Sequence, residues 1–253
     1  MCCRQLNAFR RRSTIFDRSS FLSFLQFMYT RTPPAGTGKR GRTLDLLLSA
    51  LQSLLLERGA GRFSISDVAE RAGVVHGTFY NYASNLEELV DALAVLLAAS
   101  HAALARNAPS AKGDPVAAFA FKTRLTLTIS ATAPDFGRLL FESGLPIDRF
   151  LAGLRKDMES DIRIGVTAGV FKTENAALSA SIVSGCLLGV GLDHHRGRLP
   201  KSAIEKTTTE MLVMLGVARH TAKLASHGRI RLAPPPALPL RWLGLEAFEG
   251  LQA

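Results

Sequence analysis

The stretch Ser64-Ile65-Ser66-Asp67-Val68-Ala69-Glu70-Arg71-Ala72-Gly73-Val74-Val75-His76-Gly77-Thr78-Phe79-Tyr80-Asn81-Tyr82 fits two helices and a tight turn into nineteen residues. The Ser64 hydroxyl can cap a free backbone N–H, and Asp67 falls in the electropositive first turn of the helix that follows. Val68, Ala69 and Ala72 form an inner face. Gly73 ends that helix, because glycine takes a left-handed turn without a Cβ penalty. The second helix, within 74–82, is again only about two turns long. Helices this short do not stand alone in water, so they must pack on what precedes and follows them.

Upstream, Leu44, Leu47, Leu48, Leu51, Leu54 and Leu55 fall on one apolar stripe at helical spacing, ended by Gly59 and Gly61. Downstream, Asn85 reads as an N-cap with Glu88 placed to complete a capping box. Leu86, Leu89, Val90, Leu93, Leu96 and Leu97 continue the stripe in a long helix to about residue 106. Beyond a Gly/Pro break at 109–115, helices are expected at about 115–132, 134–142, 147–169, 175–193, 200–214 and 217–226. Strand alternation is absent. The predicted fold is all-α: a three-helix head at 42–84, whose helix pair spans about 65–84, followed by a larger helical body at 85–226. A Pro-bearing tail at 227–253 is expected to be loosely ordered.

Charge separates these parts. Of the net +10, residues 1–42 supply nine Lys/Arg against one acid, whereas the body is almost balanced. The basic signal therefore belongs to an N-terminal arm, residues 1–41, and a polyanionic partner is its ordinary meaning. The arm upstream of Met28 has no helical period, which suggests that translation starts at Met28. Cys2, Cys3 and Cys186 make no even framework, and a reducing cytoplasm is expected. No uninterrupted apolar run of about 18 to 20 residues stands out, so no membrane partner is expected.

Two short helices joined through Gly73 suit a helix-turn-helix, whose second helix fits the major groove, about 12 Å wide, and offers its N-terminal side chains to base edges. His76 can donate or accept there, Gly77 permits close approach, and Thr78 offers a hydroxyl and a methyl. Tyr80 and Tyr82 combine flat rings with phenolic donors, while Phe79 points the other way as a core anchor. Three-helix packing for protein docking is the competing reading. It is disfavoured because Phe79, Tyr80 and Tyr82 cannot all face one core from a two-turn helix.

Residues 64–74, then Gly77-Thr78-Phe79-Tyr80-Asn81-Tyr82 and Leu86-Glu87-Glu88-Leu89, closely resemble the N-terminal domain of the TetR family of transcriptional regulators. The resemblance implies base-edge readers at His76, Gly77 and Tyr80 and phosphate contacts at Thr78 and Tyr82, with Ser64 and Asn81 in the same interface. Three positions depart from the family pattern: Val75 replaces a small polar cap, Ala83 a large apolar residue, and Leu86 a phosphate-contacting Lys. Lost phosphate contacts lower affinity and its salt dependence, and Lys39, Arg40 and Arg42 are expected to compensate. The resemblance further implies a homodimer on palindromic double-stranded operator DNA and a small-molecule effector of unidentified structure. Repression is expected, with activation through the same head as the alternative.

In the body, His101, Phe119, Phe136, Phe141, Met158 and Cys186 are candidates to line an effector pocket, although such residues also simply fill helical cores. Cys186 reads foremost as a packed small hydrophobe. Ala177, Ser181, Gly185 and Gly189 permit close helix approach and are the candidate dimer contacts, packing within one chain being the alternative. His194-His195 reads as surface polarity rather than a metal site. No Gly-rich phosphate loop, metal cluster or paired nucleophile and base is found, so neither enzyme activity nor a cofactor is expected.

Overall fold

The computed structural model describes residues 39–106, 113–227 and 238–240, and all ten elements among them are helices. They are α1 (Lys39–Arg58), α2 (Ile65–Arg71), α3 (His76–Phe79), α4 (Leu86–Arg106), α5 (Pro115–Thr132), α6 (Pro134–Phe141), α7 (Ile147–Thr167), α8 (Ala176–His195), α9 (Ala203–Met214) and α10 (Arg219–His227). The first begins at Lys39, so Lys39 and Arg40 are helical residues and not part of the arm. The arm upstream of Lys39, the start at Met28, and the tail apart from 238–240 lie outside the described residues.

The head closes on one core. Leu47, Leu48, Leu51, Leu54 and Leu55 from α1 meet Val68, Phe79, Ala83 and the first turns of α4. At the start of α2 the Ser64 hydroxyl accepts from the Asp67 amide while the Asp67 carboxylate accepts from the Ser64 amide at 2.7 Å, a full capping box. At its end Gly73 sits at φ +68, the Val74 amide donates to Ala69 and the Gly73 amide to Glu70. This paired pattern satisfies carbonyls that the last turn would leave orphaned. The Asn85 side chain caps α4 as expected, but Glu88 accepts from the Ser84 amide instead of completing the box on Asn85.

Besides the continuous α4, two sets of hydrogen bonds among the described residues tie the head to the rest of the chain. The Ala60 amide donates to the Ser143 carbonyl at 2.7 Å, and Arg138 donates to the Leu56 carbonyl at the end of α1. Gly144, at φ +80, is required here, since a Cβ would stand 2.8 Å from that of Ala60. The second set involves the tail. The Leu240 backbone pairs with the Gln52 side chain on α1, and Leu240 is buried. The expected loose tail thus has at least one docked point, because Gln52 offers both an acceptor and a donor to passing main chain.

Within the body, α8 lies against α7 and α5, while α9 packs on α5 and α10. Contrary to the sequence reading, α8 is long and apolar enough to cross a membrane by length and composition alone, with a mean hydropathy of 1.6. The glycines and serines counted as interruptions are too weakly polar to lower that average. Its last turn corrects a second expectation: His194 is buried and so is most of the His195 ring. His195 lies over Gly137, where a Cβ would fall 2.2 Å from Nδ1, stacks near Phe141, and donates to the Glu142 carboxylate at 2.9 Å.

Candidate nucleic-acid interface

The helix-turn-helix divides its side chains by direction. Phe79 is fully buried, whereas the next residue, Tyr80, is 52% exposed. His76 and Gly77 share the outer surface, and the His76 and Tyr80 rings meet edge to face at 5.5 Å. Only four residues of the expected 74–82 segment are helical, because no side chain caps α3 at Val75 and the chain leaves the helix as turns after Phe79. Tyr82 is half-buried against the core. It therefore presents an edge where Tyr80 presents a whole ring.

Lys39, Thr43, Thr78, Asn81 and Tyr82 line one open groove on the head. The structure thus brings the helical start of α1 beside the predicted phosphate contacts, which sequence spacing alone could not show. Thr43 was missed; its half-buried α1 position carried no motif. Arg42 is exposed nearby, and the Arg40 side chain lies outside the described residues. Ser64 does not join this set. Its hydroxyl also donates to Asp67, so both its polar groups are committed to the cap.

Ionic contacts fix the angle between α1 and α2. Arg71 grips Glu57 through two hydrogen bonds of 2.7 and 2.8 Å, and Arg58 reaches Asp67 at 2.8 Å. The Ser64 and Arg58 hydrogen bonds hold the Asp67 carboxyl well below the usual carboxylate range. These pairs are solvent-exposed and worth little as stability. Their effect is orientation.

Gly77 gives a direct test of what this surface is for. Its φ lies outside the left-handed region, and a Cβ there would meet nothing within 4 Å, so the fold itself does not require glycine. Gly77→Ala is expected to leave the melting temperature unchanged or raise it, by the equivalent of about 0.5 to 1 kcal/mol. If the surface meets DNA, duplex binding is expected to weaken all the same, because the added methyl would occupy the space of a close-approaching duplex. Calorimetric melting beside DNA titration checks both halves.

In the body, the candidate pocket residues separate. His101, Phe119, Phe136 and Met158 are buried. The Phe150 ring, missed in the sequence because it sits among charged neighbours, lies 6.2 Å from that of His101 and 6.5 Å from that of Phe136. Phe141 stands apart, on the seam with His195. Cys186 is exposed and cannot line an interior pocket, nor is it a packed hydrophobe within this chain. It lies on the outer face of α8 because the inner face is taken by Val183, Ser184 and Leu187.

Thr126 Oγ donates to the Lys122 carbonyl and so accepts from His101 Nε2 at 2.8 Å, leaving His101 neutral with Nδ1 as an acceptor. Burial, and to a lesser degree the Lys122 ammonium, pushes the imidazole down to about 4 from 6.5. Below pH 6.5 the unfolded chain takes up a proton that the folded chain refuses until about pH 4. Stability is therefore lost as pH falls between those values, by up to about 3 kcal/mol. Denaturant midpoints for the wild type should fall more between pH 7 and about pH 4.5 than those of His101→Gln. Parallel pH profiles would assign the loss to other groups.

The candidate dimer face is turned outward. Ala177, Gly185 and Gly189 are exposed, Ser181 is partly so, and a Cβ at either glycine would meet nothing within 4 Å among the described residues. Leu178 and Ile182, 57% and 45% exposed, flank them.

Comparison with known proteins agrees with this architecture. Residues 47–93 match the family described as bacterial regulatory proteins, tetR family, and residues 114–227 match the tetracyclin repressor-like C-terminal domain. A search of curated proteins finds no match. Among solved structures, ligand-free RolR superposes with a TM-score of 0.58 at 24% identity, covering 73% of this chain and 96% of RolR. RolR in complex with resorcinol gives 0.60 at 24%, covering 78% and 98%. A TetR-family regulator from Syntrophomonas wolfei gives 0.55 at 21%, covering 77% and 100%. With both the helix-turn-helix head and the helical body matched, the chain belongs to the TetR family of transcriptional regulators, which are not enzymes.

Proposed function

We propose that the protein is a homodimeric, effector-responsive repressor in the cytoplasm that occupies a near-palindromic operator. The observation that carries this reading is the split at positions 79 and 80: one ring sealed in the core, the next held out beside His76 and Gly77. A structural bundle has no use for the second ring. Two such heads related by a two-fold axis address major grooves about 34 to 36 Å apart. The outward glycine face of α8, bordered by Leu178 and Ile182, offers the isologous contact that relates them. Bound across a promoter, the dimer excludes polymerase without further contacts.

An effector acts in the body, among His101, Phe119, Phe136, Phe150 and Met158. Its binding displaces α4, which is continuous with the head, and spoils the groove spacing. RolR has been seen with resorcinol, and the acceptor nitrogen of His101 beside the Phe150 ring suits a phenolic hydroxyl. Small aromatic alcohols are the first effectors to screen. Selection from random duplex DNA tests the reading. Enrichment of a near-palindrome, lost by His76→Ala, is expected; retention without sequence preference would refute operator recognition.

A further inference from the structure

The C-terminal segment at Leu240 meets the head in a way that the regulator reading does not use. Gln52 lies on α1 beside Leu48, Leu51 and Leu55 and is fully buried. A glutamine is seldom buried without partners, since unpaired amide groups in a core cost free energy. Here the partners are supplied from 188 residues away: Gln52 Oε1 accepts from the Leu240 amide at 2.7 Å, and Gln52 Nε2 donates to the Leu240 carbonyl at 2.9 Å. Nε2 also donates to the Leu48 carbonyl at 3.2 Å. The Leu240 side chain is 4% exposed and joins the common core, with Leu238 packed against it.

This receptor has the chemistry of a reversible contact. Had the position been leucine, the Leu240 amide and carbonyl would be left without these partners in the docked state, and the segment would not be held. With glutamine, the vacated amide is satisfied by water. Both states are therefore accessible, and the docked one is specific, because a side-chain amide pairs with main chain in a single register. The contact sits on α1, the helix whose N-terminal turn holds Lys39 and whose C-terminal residues Glu57 and Arg58 set the angle of α2.

We propose that the Leu240 segment is a strap, with Gln52 and Leu240 as positioning residues: docked on α1, it restricts the orientations the DNA-reading head can take. This rests on the dimeric operator-binding reading above. A head held at one orientation accepts a narrow range of half-site spacings. A released head accepts more, and binds the preferred spacing less tightly because it must be ordered on the DNA.

The test uses the full chain, Gln52→Leu and Leu240→Asp, on selected operator duplexes whose half-site spacing is the preferred one or is altered by one base pair. Hydrogen exchange at the Leu240 amide reports docking. The wild type should protect that amide and discriminate sharply between spacings. Both variants should lose the protection and about tenfold of the discrimination, within the range of ordinary coupling between sites. A control, Leu224→Ala on the exposed face of α10, should leave both unchanged. Rapid Leu240 exchange in the wild type, or variants that undock yet keep the wild-type spacing profile, would overturn the strap alone. A wild type with no preferred spacing would remove the operator reading and the strap's role with it.

Discussion

Tyr80→Ala is expected to lower operator affinity about 5- to 150-fold, the equivalent of about 1 to 3 kcal/mol for a side chain that touches the duplex. The same substitution should cost the fold less than about 1 kcal/mol. Tyr80 is 52% exposed, and its contacts within the protein are edge-to-face with His76 and Phe79. Such contacts add only about 0.5 to 1.5 kcal/mol each where buried, and less in water. Fluorescence anisotropy on the selected operator, set beside thermal melting, separates the two quantities. Loss of stability in proportion to loss of binding would mean that the ring supports the head instead of reading DNA.

The neighbouring residue should behave in the opposite way. Phe79 is fully buried among Leu47, Leu48, Val68 and the first turns of α4, and Phe→Ala at such a site costs about 3 to 5 kcal/mol. The head is small, and α2 and α3 are too short to survive without this anchor. Phe79→Ala is therefore expected to abolish DNA binding by melting the head while leaving the body folded. Hydrogen exchange should show lost protection over α2 and α3 and retained protection over α5 and α8. A head that keeps its protection would show that the core closes without the ring.

The head was legible because its signals are local. A cap, a left-handed glycine and an apolar stripe lie within a few residues of one another, and each has one physical meaning. Ser64, Gly73, Phe79 and Tyr80 take the conformations or exposures that local reasoning assigns. What escaped depended on distant partners. Leu240 looks like part of a Pro-bearing tail until Gln52 is seen to pair with it. His194 and His195 read as surface polarity because nothing nearby in sequence reveals that Gly137 makes room for an imidazole.

Cys186 was misplaced for a related reason. An apolar helix such as α8 gives no period by which to tell its inner face from its outer one. Only packing on α5 and α7 shows that Val183 and Leu187 point inward and Ile182 and Cys186 outward. The same ambiguity hid the membrane-like hydropathy of that helix. A surface destined for a second copy of the chain and a segment destined for lipid have similar compositions.

The outward presentation of α3 to a duplex is tested most directly by photocross-linking the full chain to its selected operator, substituted with 5-bromouracil, and mapping the attached tryptic peptide. The predicted cross-link falls within the peptide from Ala72 to Arg106, at Tyr80 or His76, and it persists with scrambled competitor in excess but disappears with unlabelled operator in excess. Attachment confined to the body, or none at all from a complex that still forms, would contradict it.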